Sequence, residues 1–158
     1  MIYWFTGQPA HGKTILADLL KNTHLPQAYR IDGDDMRELF SNKDYSIKGR
    51  VENVGTAQRI AHYLHNQGKD VIVSLVSPYL DQREEFKDIM EWQLQEIFVY
   101  YDIDKGLRGR ENYHVSQFGV PELDYIDVDT TIQTPEESLK IIAKKTGLYE
   151  KILSTSSL

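Results

Sequence analysis

The residues with the plainest chemistry are Gly7, Gln8, Pro9, Ala10, His11, Gly12, Lys13 and Thr14, the run GQPAHGKT. It fits G-x-x-x-x-G-K-[ST] residue for residue. This spacing lets a loop curl until successive backbone N–H groups point inward at a phosphate. The glycines permit the conformation and the close approach. A helix restarting at Lys13 then offers free N–H groups and a partial positive charge to the same anion. Lys13 is expected on the loop surface, bridging β- and γ-phosphates, and Thr14 at a magnesium ion. His11 lies inside the loop, where the pattern tolerates many residue types, and reads as a bystander.

A phosphate cradle does not by itself choose a reaction. The acids do more. Asp32, Asp34 and Asp35 stand together in RIDGDDMR. A carboxylate there can orient magnesium waters and accept a proton from an attacking hydroxyl. Asp32 and Asp34 are the candidates for that work, and Asp35 for a helix cap. The plain alternative is that all three only cap the helix start. The later run DVIVSLVSPY carries Ser74 and Ser77 and no acid. Many ATPases place a second metal-associated carboxylate at such a point.

These side chains need a frame. Residues 1–6 form an apolar run that reads as a buried strand. A helix follows from Lys13 to about Lys21, with Ile15, Leu16, Leu19 and Leu20 on one side. Residues 28–33 read as a second strand ending in acid, and DDMRELF as a short helix. Residues 50–66 give the clearest helix, because Val51, Val54, Ala57, Ile60, Ala61 and Leu64 recur at three- and four-residue steps. Residues 70–76 are β-branched and predict a central strand buried on both faces. A polar helix over 81–91, a strand over 96–102, a mobile loop over about 104–121, a strand over 125–131 and a helix from Pro135 to Gly147 complete the order. Alternation of this kind predicts an α/β fold: a P-loop NTPase-type parallel sheet with helices on both faces, joined by right-handed crossovers. One domain is expected over residues 1–150, with a frayed tail at 151–158.

Composition narrows the class. A length of 158 residues suits one domain, and 41% hydrophobic residues suffice for a core. No window approaches the ~18 apolar residues of a membrane span. No secretion signal is evident, and a cytoplasmic location is expected. The absence of cysteine excludes disulfides and thiolate metal sites. The net charge of −6 argues against broad nucleic-acid binding.

GQPAHGKT, RIDGDDMR, GRVEN and SLVSPYLDQRE, in this order, resemble the adenylylsulfate kinase family. The resemblance runs through about Glu85, and more weakly through the last strand and helix. It implies a P-loop kinase fold, ATP with Mg²⁺ as donor, a mobile lid and a homodimer. The partners it implies are small-molecule nucleotides, with no nucleic acid and no membrane. The implied reaction phosphorylates the 3′-hydroxyl of adenosine 5′-phosphosulfate. By this resemblance Lys13, Asp32 and Asp34 are catalytic, and Thr14 and Asp32 serve the metal. Asp34, Arg37, Tyr45, Arg50 and Asn53 meet the acceptor, Tyr45 by stacking on its base. Val76 and Ser77 wall the acceptor site, although in some relatives that serine carries a phosphate. Lys105, Arg108 and Arg110 fall on the lid. Phe118 matches the lid's base-clamping aromatic and joins the acceptor set. The plain alternatives are solvated charge for the basic residues and simple packing for the aromatics.

The departures bear on substrate. Two arginines of the family's ENIRR pattern are replaced by Gly55 and Thr56, and the lid reads Arg-Gly-Arg. The segment before the lid is shortened, so that only two residues separate Asp102 from Lys105. Two rivals follow. One is a related kinase of another nucleotide, such as cytidine diphosphoramidate. The other is a nucleotide-binding module without catalysis, against which the retained Lys13, Thr14, Asp32 and Asp34 speak.

Overall fold

A computed structural model describes residues 1–106 and 114–149. Five strands form one sheet: β1 (Ile2–Thr6), β2 (Tyr29–Asp32), β3 (Val71–Ser74), β4 (Leu94–Tyr100) and β5 (Tyr125–Asp129). Their spatial order is β2-β3-β1-β4-β5, and every pairing is parallel. Among the described residues five α-helices intervene: α1 (Lys13–His24), α2 (Gly33–Leu39), α3 (Ile47–Asn66), α4 (Leu80–Met90) and α5 (Pro135–Lys145). Among the described residues, no helix is long and apolar enough to cross a membrane.

β1 is central because all five of its residues are buried. Side chains alternate across a strand, so β1 feeds two cores. Tyr3 and Phe5 join Ile72, Ile97 and Val99 against Leu16, Leu20 and Ile142 of α1 and α5. Ile2 and Trp4 join Val71 and Val73 against Val54, Ala57 and Phe86 of α3 and α4. All the strands point their carboxyl ends the same way, which is where such sheets bind ligands.

The boundaries differ from expectation in three places that matter for the site. α3 begins at Ile47, one turn before Arg50, because the Ser46 side chain accepts from the Gly49 N–H and caps it. The apolar period could not show this turn, since Ile47 is exposed. β3 ends at Ser74, and residues 75–78 leave the sheet to run beside the loop after β1. Leu75 N–H still donates to Phe5 O at 3.2 Å. Finally, part of the expected mobile segment is anchored. Gly119 N–H donates to Pro78 O at 2.8 Å, and Val115 exchanges two 2.8 Å hydrogen bonds with the Gln8 amide. The expected frayed tail lies outside the described residues.

Candidate active site

The loop after β1 has the geometry its glycines suggest. Gly7 has φ +149°, and a Cβ there would overlap the Val99 carbonyl oxygen. Gly12 has φ +104° and stands at the start of α1 with no side-chain cap, so the helix N–H groups stay open. Ala10 holds φ +65°, an uncommon conformation for a residue with a side chain.

Lys13 departs from expectation. It is only 8% exposed, and its ammonium folds back to donate to Gln8 O at 2.7 Å. Burial lowers its pKa to about 8, against the opposing pull of Asp32 and Asp34. The side chain folds across the loop to reach the Gln8 carbonyl and still lines the cleft.

His11 is no bystander. It is 3% exposed, its Nδ1 accepts from Tyr101 N–H at 3.1 Å, and its Nε2 lies 3.1 Å from His114 Nε2. Thr130 Oγ1 donates to the His11 carbonyl at 2.7 Å, tying the loop to the end of β5.

Asp32 sits at the hub of the acids. Its Oδ2 accepts from Ser74 Oγ at 2.7 Å and from Thr14 Oγ1 at 3.1 Å. Its Oδ1 accepts from Asp34 N–H at 3.1 Å, so Asp32 is the cap of α2. The cap is therefore Asp32 and not Asp35, the residue that the sequence suggests for it. A β-region residue immediately before the first turn is what capping requires, and the first turn here already includes Asp35. Asp34 is exposed and lines the cleft, whereas Asp35 does not.

The far side of the cleft is built from the link between α2 and α3. Arg37, near the end of α2, donates to Asn42 O, Asn42 Oδ1 and Asp44 O at 3.0–3.2 Å. Its guanidinium lies 4.0 Å over the Tyr45 ring, and that of Arg50 lies at 5.6 Å. Arg50 Nε also donates to Tyr45 O at 2.9 Å. Asn53 is buried one turn further along α3. Ser77 is 1% exposed, with its hydroxyl accepting from the Trp4 indole N–H at 3.0 Å. Buried Arg83 donates to Ser77 O and to Gly119 O and pairs with Glu96, locking this corner.

One cleft of about 1080 Å³ gathers most of the candidates. Pro9, Ala10, Gly12, Lys13, Thr14, Asp32 and Asp34 line one end, and Arg37, Tyr45, Arg50, Asn53, Val76 and Ser77 the other. Gly7, Gln8 and His11 stand behind the lining and shape the loop. Lys105 is exposed and does not line the cleft. Phe118 is not brought to it either. That ring stacks on Phe98 at 6.0 Å, with the Arg83 guanidinium 5.4 Å above it. Arg108 and Arg110 lie outside the described residues. His114 does line the cleft, and sequence reasoning missed it. A lone histidine in a Gly- and Arg-rich segment carries no periodic or spacing signal.

Residues 1–113 match the family of adenylylsulphate kinase. The chain belongs to that family. Among relatives of known sequence, the bifunctional enzyme NodQ of Rhizobium meliloti (strain 1021) is 31% identical over 112 residues, 68% of this chain. The chain spans only about a fifth of the NodQ proteins it matches, 18% and 22% of their lengths. The cytidine diphosphoramidate kinase of Campylobacter jejuni is 26% identical over 172 aligned positions, covering 93% of this chain and 96% of that one. Among solved structures, the Mycobacterium tuberculosis APS kinase CysC in complex with AMPPNP and APS superposes with a TM-score of 0.77 over 94% of this chain and 96% of that one. At 22% identity it shows the shared P-loop kinase fold.

Proposed function

We propose that this family member uses ATP to phosphorylate the 3′-hydroxyl of adenosine 5′-phosphosulfate. The observation that carries the reading is the composition of this cleft. A phosphate loop and two carboxylates stand at one end, and two arginines flank an aromatic ring at the other. The first end suits a nucleoside triphosphate, and the second suits an anionic acceptor with a planar base.

Thr14 Oγ1 and Asp32 Oδ2 are hard oxygen donors 3.1 Å apart at the start of α1. Among the described residues no group of three or more His, Cys, Asp or Glu could hold a metal. Magnesium is usually held by one or two protein oxygens and the substrate phosphates, so this donor set fits it. When bound, magnesium neutralises phosphate charge as it develops.

The chain's own residues do the rest. Lys13 releases Gln8 O and donates to the β- and γ-phosphates. The open N–H groups of α1 donate to the same oxygens. Asp34 takes the proton of the acceptor hydroxyl, because both oxygens of Asp32 are already engaged. Arg37 and Arg50 hold the anionic end of the acceptor, and Tyr45 stacks on its base. Val76, Ser77 and Asn53 close that wall. A homodimer and a cytoplasmic location belong to the same reading.

A second reading has its own support. The Campylobacter cytidine diphosphoramidate kinase aligns over 93% of this chain, whereas the family match stops at residue 113. Turnover assays run in parallel with adenosine 5′-phosphosulfate and cytidine diphosphoramidate decide between them. Preference for the cytidine compound would replace the first reading by the second.

A further inference from the structure

Arg30 stands outside the cleft lining and has no part in the reaction as described. It lies on β2, two residues before Asp32, so both side chains lie on the same face of the sheet. In the parallel register Arg30 is opposite Ile72, and Asp32 is opposite Ser74. This face packs on α1, where one would expect an aliphatic side chain. Instead a half-buried guanidinium is fixed from four sides. Nε donates to Asp18 Oδ1 on α1 at 2.9 Å. Nη1 donates to Ile31 O at 2.9 Å and to Ile72 O at 3.4 Å. Nη2 donates to Ser74 Oγ at 2.9 Å and lies 3.7 Å from Asp32 Oδ2.

The consequence follows from hydrogen-bond inventory. A serine hydroxyl has one hydrogen and two lone pairs. Arginine is a rigid fork that can only donate. With Arg30 occupying a lone pair of Ser74, the single Ser74 hydrogen is left for Asp32 Oδ2, 2.7 Å away. Thr14 holds the same oxygen, but Thr14 must turn its hydroxyl oxygen to a metal ion when one binds. Ser74 and the Asp34 N–H then supply the hydrogen bonds that keep Asp32 in place.

We infer that Arg30 is a positioning residue for Asp32, acting through the orientation of the Ser74 hydroxyl. The inference rests on the proposed reading in one respect, that Asp32 serves the metal-bound nucleotide.

The test uses the full chain and the variants Arg30→Met, Ser74→Ala, the double variant, and Asp18→Asn as control. Titration calorimetry measures binding of a non-hydrolysable ATP analogue with and without Mg²⁺. The Mg²⁺-dependent gain in affinity is expected to fall at least fivefold in Arg30→Met and by a similar factor in Ser74→Ala. The double variant should be no worse than the worse single, as for residues acting in series. Asp18→Asn should stay within twofold of the parent, and metal-free affinity should hold in all four. Additive losses overturn the inference. So does a larger Mg²⁺ gain in Arg30→Met, which would make Arg30 a repelling charge rather than an orienting donor. If Arg30→Met does not fold, an unchanged Mg²⁺ gain in Ser74→Ala overturns it as well. A crystal structure of Arg30→Met separates this from the function. Asp32 unmoved refutes the positioning whatever the metal does. Asp32 turned away, in a protein whose parent shows no Mg²⁺ gain, supports the positioning and refutes the metal reading.

Discussion

His11 Nε2 lies 3.1 Å from His114 Nε2, joining the phosphate loop to the segment that also bonds Gln8 through Val115. The tautomers follow from the backbone. Tyr101 N–H occupies the lone pair of His11 Nδ1, so the His11 proton sits on Nε2 and is donated to His114. In this arrangement His114 accepts on Nε2. The same assignment argues against a metal on this pair, since His11 has no lone pair left to give.

A pH dependence follows. Burial first, then the charges of neighbouring His114 and Lys13, lower the His11 pKa from 6.5 to about 4. The unfolded chain therefore binds more protons between these values, and stability falls as pH drops from about 6.5 towards 4. Carboxylates titrate in the same range, so the comparison must be with His11→Gln. Thermal melts across this window should show the parent's advantage over the variant shrinking as pH falls. A constant difference would show that His11 is not held neutral by the fold.

Lys13→Ala should reduce turnover by about a hundredfold or more, the scale of losing one preorganised donor to a transferring group. The domain should stay folded, because among the described residues the side chain's hydrogen-bond partner is the Gln8 carbonyl. Lys13 also carries a stability signature of its own. Its pKa falls from 10.5 to about 8 in the folded state, so the parent gains stability as pH rises between those values. Urea denaturation at pH 7.5 and pH 10 should show this gain in the parent and not in the variant. Normal turnover in Lys13→Ala would remove the phosphate-loop reading.

The three acids separate by position. Asp34→Asn should lose turnover with little change in stability, because Asp34 is exposed in the cleft. Asp32→Asn should lose turnover through its bonds to Thr14 and Ser74, with a change in stability of up to ~1 kcal/mol, the value of a cap. Asp35→Asn should change neither. Equal kinetic losses in Asp34→Asn and Asp35→Asn would remove the assignment of Asp34 as base.

Sequence reading reached what local patterns encode. The loop pattern, the acids after β2 and the β-branched run of β3 each carry their meaning within a few residues. So does Pro135 at the first helical position. What it missed depends on contacts between distant segments. His11 and His114 are 103 residues apart, and Arg30 and Ser74 are 44. Phe118 shows the converse limit. A motif places an aromatic near the lid, but only packing decides that it stacks on Phe98 rather than facing the cleft.

The last prediction concerns the acceptor end. Arg37 and Arg50 come from different helices, yet both lie over one exposed ring, that of Tyr45. The ring and the cations therefore hold one another before any acceptor binds. Charged hydrogen bonds contribute ~1.5–3 kcal/mol, so Arg37→Ala and Arg50→Ala should each raise the acceptor KM by about tenfold or more. ATP affinity, measured by calorimetry, should change little, because neither arginine touches the phosphate loop. Tyr45→Leu should raise the acceptor KM as well, by removing both the stacking surface and the seat of Arg37. Because of that shared contact, the Arg37→Ala and Tyr45→Leu losses should combine to less than their product. Multiplicative losses would mean that ring and guanidinium act independently. A variant that lost ATP affinity and kept acceptor affinity would show that the two ends of the cleft are exchanged.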